Sequence, residues 1–484
     1  MMPHAKEPVP TRLEIQEQLE RMIASELFLS RPKQAQLFAF LVKGALAGNE
    51  LTEKDVRREC FPDPPYKPAS TIARTTVILA RTLAHEYYQS VGNGDRVLIE
   101  LPAGKPGKKH QVAGSFYRPV FSYNRRHPLT QHYRLGCLCL RARTPFDPVD
   151  AANYFDKVIE LDPNFAAAHV GKAEAACLMA FLFCDSWEFI SDACAHAKIA
   201  VDLDPNNWHT HAALGASRML ACELESAAAA FKNAYALNEA KTIRYGWYHA
   251  FQAANGRVAY AVQFGRLYAI EHEEDAYAVA MFGAYLYLAR DYSNASFVIK
   301  RAIDLDLNCW VAYLVSALIQ FSCGKAEEAF VPLRYMQHSA HMIEESYFFP
   351  GLAALLSAAA AHKFDPSAYT TAARLIRKEA SPIYTQLTLW LMGSENSETR
   401  TEIALTALRC AWETYEPLVL FLHLLPLFDA LREQEKFQSI AKSRFFVRPK
   451  PLSAAAQGWP DLFDHLPGKS SESPPDDTPP AKTE

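Results

Sequence analysis

The chain lacks the marks of several large classes of protein. Its ten cysteines include no Cys-x-x-Cys pair, and Cys137 and Cys139 stand at a spacing that suits neither a zinc knuckle nor a redox motif. Buried free thiols in a reducing cytoplasm are the expectation. No run reaches the ~18 apolar residues of a membrane helix. The nearest, Pro417–Phe428, holds two prolines and His423 and is expected to pack inside a helical domain. Met1–Arg12 is polar and proline-containing, so no signal peptide is expected. There is no phosphate-binding glycine loop ending in Lys-Ser/Thr, no His-Glu-x-x-His and no Gly-x-Ser-x-Gly, and Gly92-x-Gly94 lacks the dinucleotide spacing. His338, His341 and His362 read as helix-surface or capping residues, and Glu273-Glu274-Asp275 as a solvated edge. With no recognisable nucleophile, metal set or cofactor loop, the expectation is a protein that is not an enzyme and has no cofactor.

What is present is a soluble composition: 484 residues, half of them apolar and 21% charged, enough for two or three domains. The net charge of −4 is unevenly placed. From Lys67 to Arg126 ten Lys or Arg face three acids, a local +7 that leaves about −11 for the remainder. A basic segment in an acidic protein points to a polyanion partner for that segment.

The middle of the chain keeps a 34-residue beat. Leu161-Asp162-Pro163-Asn164 returns as Leu203-Asp204-Pro205-Asn206, as Leu237-Asn238-Glu239 and as Leu305-Asp306-Leu307-Asn308. Ten residues before each stands Ala151, Ala193, Ala227 or Ala295, and Ala261 and Ala329 fall on the same grid. A larger apolar residue follows four on (Phe155, Phe231, Ile299, Leu333), then a small one (Ala200, Ala234, Ala302), an i, i+4, i+7 stripe. Gly215, His249, Gly283 and Ala317 share one place on a first helix, and Gly256 and Gly324 share the turn within a pair. About eight residues are inserted around Leu182–Trp187. A period of 34 is the length of the tetratricopeptide (TPR) helix pair, so an α-solenoid is expected from about Leu129 to Met336. Its inner surface should include His209, Ala212, Ala216 and Met219 from one pair and Tyr277, Ala280, Ala284 and Tyr287 from another. Small, aromatic and apolar residues there suit a hydrophobic or helical peptide, or the chain's own C-terminal helices.

Before the repeats, the pattern predicts helices over Leu13–Ser25, Pro32–Leu46, Glu53–Cys60 and Thr71–Tyr88, then strands over Arg96–Leu101 and Gln111–Phe121. On the long helix, Lys67, Arg74, Arg81 and His85 share one face, with Ile72, Leu79, Leu83 and Tyr87 opposite. The order is that of a winged helix-turn-helix. Arg81–Tyr88, Arg96–Gly104 and Tyr117–Phe121, then Tyr133–Gly136 and Arg143-Thr144-Pro145, resemble a bacterial winged-helix-like domain that precedes TPR arrays, which implies a transcriptional regulator or a regulatory module attached to a signalling enzyme. The chain carries Thr75, Thr76 and Thr82 where those proteins carry arginines, and Lys105–Gly114 lengthens the hairpin turn.

The resulting expectation is mostly α: a leader over 1–11, a winged-helix-like domain over 12–122, a TPR array over 123–340, helical repeats or a cap over 341–446, and a tail over 447–484 whose Ser, Pro, Asp and Lys predict disorder. Duplex DNA would meet Lys67, Thr71, Arg74, Thr75, Arg81 and His85 on the helix and Lys105, Lys108 and Lys109 on the wing. So few arginines imply modest affinity from one copy, and hence a homodimer or a partner. The alternative is a TPR scaffold that binds proteins and not DNA. Either would be a cytoplasmic, bacterial-type regulator with no membrane contact.

Overall fold

The computed structural model describes residues 8–49, 51, 53–60, 72–102, 118–142, 147–182, 186–238, 246–325, 328, 331–332 and, within the later chain, 417–421, 423–426, 429, 432–435 and 437–438. Two compact units divide the chain, Met1–Ala175 and Ala176–Glu484.

The first unit opens with helices α1 (Arg12–Ala24), α2 (Glu26–Leu29), α3 (Pro32–Leu46), α4 (Glu53–Cys60) and α5 (Ile72–Gln89). Thr11 and Glu14 form a reciprocal capping box that starts α1. The short α2 was not expected from the sequence; Phe28 on it is fully buried and meets Phe38 and Tyr87 edge-on. Strands β1 (Val97–Glu100) and β2 (Val120–Tyr123) then pair antiparallel, Val97 opposite Tyr123. The return strand thus begins nine residues later than its predicted start at Gln111. On α5 the buried stripe is Val77, Ala80, Leu83, Ala84 and Tyr87. Leu79, expected to be buried, is 46% exposed. The hairpin's root is held by Asp95, which accepts from Gln18 (2.6 Å) and from the Tyr87 hydroxyl (2.7 Å).

The first helix pair, α6 (Pro128–Ala142) and α7 (Asp147–Leu161), belongs to the same unit. Arg96 joins it to the helices and hairpin. Its guanidinium lies 2.9 Å from Glu14 of α1 and 2.6 Å from Asp162, the aspartate of the first Leu-Asp-Pro-Asn motif. It also sits over the rings of Tyr123 and Phe165.

Helix α8 (Ala166–Leu182) crosses the division between the units, and α9 (Ser186–Leu203) follows. They have 17 and 18 residues, where α10 (Trp208–Leu220) and α11 (Leu224–Leu237) have 13 and 14. The eight inserted residues therefore lengthen both helices of one pair by about a turn each. His169 and His211 occupy matching places beside the two Asp-Pro motifs. Each donates its ring Nε2–H to a proline carbonyl, Pro163 or Pro205, at 2.9 Å.

Helices α12 (Gly246–Ala254), α13 (Val258–Glu271), α14 (Ala276–Leu288), α15 (Tyr292–Leu305) and α16 (Trp310–Ser322) complete the described stack. Ala151, Ala193, Ala227, Ala261 and Ala295 are each fully buried. Ala329, Leu333 and Met336 lie outside the described residues or side chains. Where the turn within a pair is described, it passes through the left-handed region at one grid position: Cys222 (φ 59), Gly256 (φ 79), Arg290 (φ 65) and Gly324 (φ 74). Paired helices touch where small meets large. A Cβ on Gly215 would lie 2.8 Å from Phe231, and one on Gly283 would lie 2.6 Å from Ile299. In the pair between them the sizes exchange: His249 and Gly265 hold those places, and Tyr285 of α14 fills the space beside Gly265.

Two kinds of destabilisation should separate in chemical denaturation. Ala295→Leu should lower stability by about 1–3 kcal/mol through overpacking. Gly256→Ala meets nothing within 4 Å, so its loss should be the left-handed backbone penalty alone, about 1–2 kcal/mol. An unchanged midpoint for Ala295→Leu would contradict burial between paired helices. Arg96→Ala, which strips a shared cation from Glu14 and Asp162, should cost on the order of 2–3 kcal/mol, between exposed and buried ion-pair values.

Candidate binding surface

The eight residues expected to line an inner surface part into two groups. Ala212, Ala216, Met219, Ala280 and Tyr287 are all buried, so they are packing residues rather than an open lining. A first helix in mid-stack is flanked by its own partner and by neighbouring pairs, which leaves only a narrow outward strip. Tyr287 turns its hydroxyl to Ser322 at 3.2 Å. His209, Tyr277 and Ala284 do reach the surface in part.

His209 stands in the first turn of α10, its N–H donating to the Asn207 cap at 3.0 Å. Its ring stacks on Trp208 with centroids 3.6 Å apart. Burial lowers its pKa to about 4, so the imidazole is neutral near pH 7. Tyr277 is placed likewise in the first turn of α14, where the Asp275 carboxylate accepts from the N–H groups of Tyr277 and Ala278. Tyr277, Met281 and Ala284 follow one another along α14 and pack on the edge of an apolar cluster drawn from α12 to α16. Between these pairs, the eight residues Trp247–Ala254 of α12 are buried on every side, polar His249 and Gln252 included. A helix buried all round must be covered on a face that paired helices leave open. No local sequence signal distinguishes it from its exposed counterparts.

The basic set expected to meet DNA is placed only in part. Lys67, Thr71, Lys105, Lys108 and Lys109 lie outside the described residues, as does the side chain of Arg74. Thr75 and His85 are exposed on α5, and the His85 ring meets the Gln89 amide at 2.7 Å. Arg81 is engaged: it donates to the carbonyl oxygens of Leu101 (2.6 Å) and Pro102 (2.9 Å). The described outer face of α5 is thus largely neutral, with Thr75, Ile78, Leu79, Thr82 and His85 outward.

No family model and no curated protein matches the chain. Solved structures do. The chain is similar to YrrB, a TPR protein with an unusual peptide-binding site, at 15% identity over 40% of this chain and 94% of that one, with a TM-score of 0.26. It is similar to human IFIT1, a dimer with PPP-AAAA, at 14% identity over 88% and 96% with a TM-score of 0.44. A third likeness is to the APC/C hetero-tetramer Cut9-Hcn1, at 11% identity over 81% and 66% with a TM-score of 0.35. The middle of the chain is a stack of TPR-like helix pairs. The 34-residue spacing of its buried alanines and left-handed turns defines that stack. No helix among the described residues is long and apolar enough to cross a membrane.

The neutral state of His209 has a consequence for stability. Its folded pKa is depressed, whereas the unfolded chain takes up the proton near the ordinary value of ~6.5. Stability should therefore be fully present above about 6.5 and decline as pH falls toward about 4. The decline should be on the order of 2–3 kcal/mol. Urea midpoints from pH 7 to pH 4.5 should fall less steeply for His209→Gln than for the parent. Parallel curves would show that His209 does not titrate this way.

Proposed function

We propose that the chain is a non-enzymatic scaffold that binds a protein or peptide segment along the first helices of its TPR-like pairs. One observation carries the reading: Tyr277, Met281 and Ala284 form a partly exposed apolar strip on α14, continuous with a core shared by α12–α16. Stacked pairs present such strips side by side, which suits an extended or helical segment with large apolar side chains. Neutral His209 beside Trp208 extends the same chemistry on α10.

A photo-reactive residue in place of Tyr277 should cross-link a discrete protein partner in the source cells. The same residue in place of exposed Phe297, on a second helix, should not. Equal yields from both positions would sink the reading.

A second reading keeps duplex DNA as a partner of the first unit. It is favoured by the order α3, α4, α5, β1, β2 with its antiparallel hairpin, the order of a winged helix. The neutral described face of α5 and the engaged Arg81 favour the scaffold reading over it. Anisotropy titrations of the full chain with random duplex DNA should show no salt-dependent binding at micromolar concentrations. A steep negative slope against log salt would instead establish DNA binding by phosphate contacts.

A further inference from the structure

The described chain beyond α16, within Pro417–Gln438, lies against the repeat helices. Its 3-10 turn, Pro417–Phe421, packs on α12, the helix buried on every side. Leu425 and Phe437 are buried members of the apolar cluster that includes Ala280, Tyr287 and Ile299, and Phe421 and Leu424 pack against that cluster, as Tyr277 and Ala284 do.

A cation fixes the polar end of this contact. Arg290 grips Asp429 with both arms of its guanidinium, Nη2 to Oδ1 at 2.6 Å and Nε to Oδ2 at 3.2 Å. Arg290 stands at the left-handed grid position that glycine takes at Gly256 and Gly324. Cys222 shares that conformation, so the position accepts a side chain, and at Arg290 the long side chain carries its guanidinium to Asp429. The segment also has a shape of its own. Arg432 donates to Asp429 at 2.6 Å, to the Leu425 carbonyl at 3.1 Å and to the His423 carbonyl.

The attachment is slight beside that of the helix pairs. Both partners of the Arg290–Asp429 pair keep 43% of their side-chain surface in water. Among the segment's described residues the regular structure is a five-residue turn, and the buried apolar residues are Pro417, Leu420, Leu425, Pro426 and Phe437. The helix pairs carry their own small-against-large contacts without it.

We propose that Pro417–Gln438 is an internal ligand seated on the partner surface of the repeats. An outside partner displaces it by presenting the same chemistry: two or more large apolar side chains, followed by a carboxylate for Arg290. This deepens the scaffold reading and rests on it, since it assigns a regulator to that surface.

The test uses the full chain and a fluorescent synthetic peptide of residues 415–438. The combined Leu425→Ala and Asp429→Ala variant, with its own segment loosened, should bind the peptide at least tenfold more tightly than the parent. Adding Arg290→Glu should remove that gain, and a peptide carrying Asp429→Arg should restore it. Amides of residues 420–438 in the parent should exchange at least tenfold faster than those of α14. Equal peptide affinity in parent and loosened variant would overturn the proposal. So would equal protection of the segment and α14, or loss of the cooperative melt on loosening, since each marks a permanent part of the core. Cross-linking from Tyr277 can fail while the peptide result stands, so the two ideas fail separately.

Discussion

Close approach of paired helices is the constraint on which this structure depends. Two helix axes come near only where one side offers almost no side chain and the other fills the gap. Gly215 receives Phe231, Gly283 receives Ile299, and Phe155 lies against both Gly136 and Gly171. The buried alanines at one position per repeat keep the second helices equally close. The filling residue can also come from the next pair, as where Tyr285 of α14 occupies the space beside Gly265. The stack therefore tolerates wide sequence change away from these contacts.

A different interaction makes the first unit one body. Arg96 stands where α1, the hairpin and the first Asp-Pro turn converge, paired with Glu14 and Asp162 and set over the rings of Tyr123 and Phe165. A guanidinium can do this because its plane offers donors at the edge and a flat face for rings. The hairpin is thereby fixed to the first helix pair. This explains why the compact unit runs to Ala175 and takes in α6 and α7, where composition marks a boundary at 122.

The surface of the repeats is narrower than helical periodicity implies. Periodicity assigns a residue to a face but not to solvent, because it knows nothing of what lies opposite. Ala212, Ala216, Met219, Ala280 and Tyr287 are on the expected helices and are nonetheless buried, while His209, Tyr277 and Ala284 emerge. The turns tell the opposite story. The glycines Gly256 and Gly324 mark a left-handed residue in two repeats, and the same conformation holds at Cys222 and Arg290, where composition conceals it. Register, not residue type, is what carries over.

The sequence by itself determined the 34-residue period, the helix-pair architecture, the positions of the small residues and most boundaries of the first unit; Pro32–Leu46 and Glu53–Cys60 match residue for residue. These follow from side-chain size, proline, glycine and capping groups, all of which act within a turn or two of chain. Tertiary structure alone decided that Arg81 binds the Leu101 and Pro102 carbonyls instead of facing outward, and that Leu79 is exposed. It also decided that Arg96 meets Asp162, and that Arg290 meets Asp429 across 139 residues of chain. A charge has no local preference for one distant partner over another; its partner is whichever opposite charge the packing of apolar faces brings within reach.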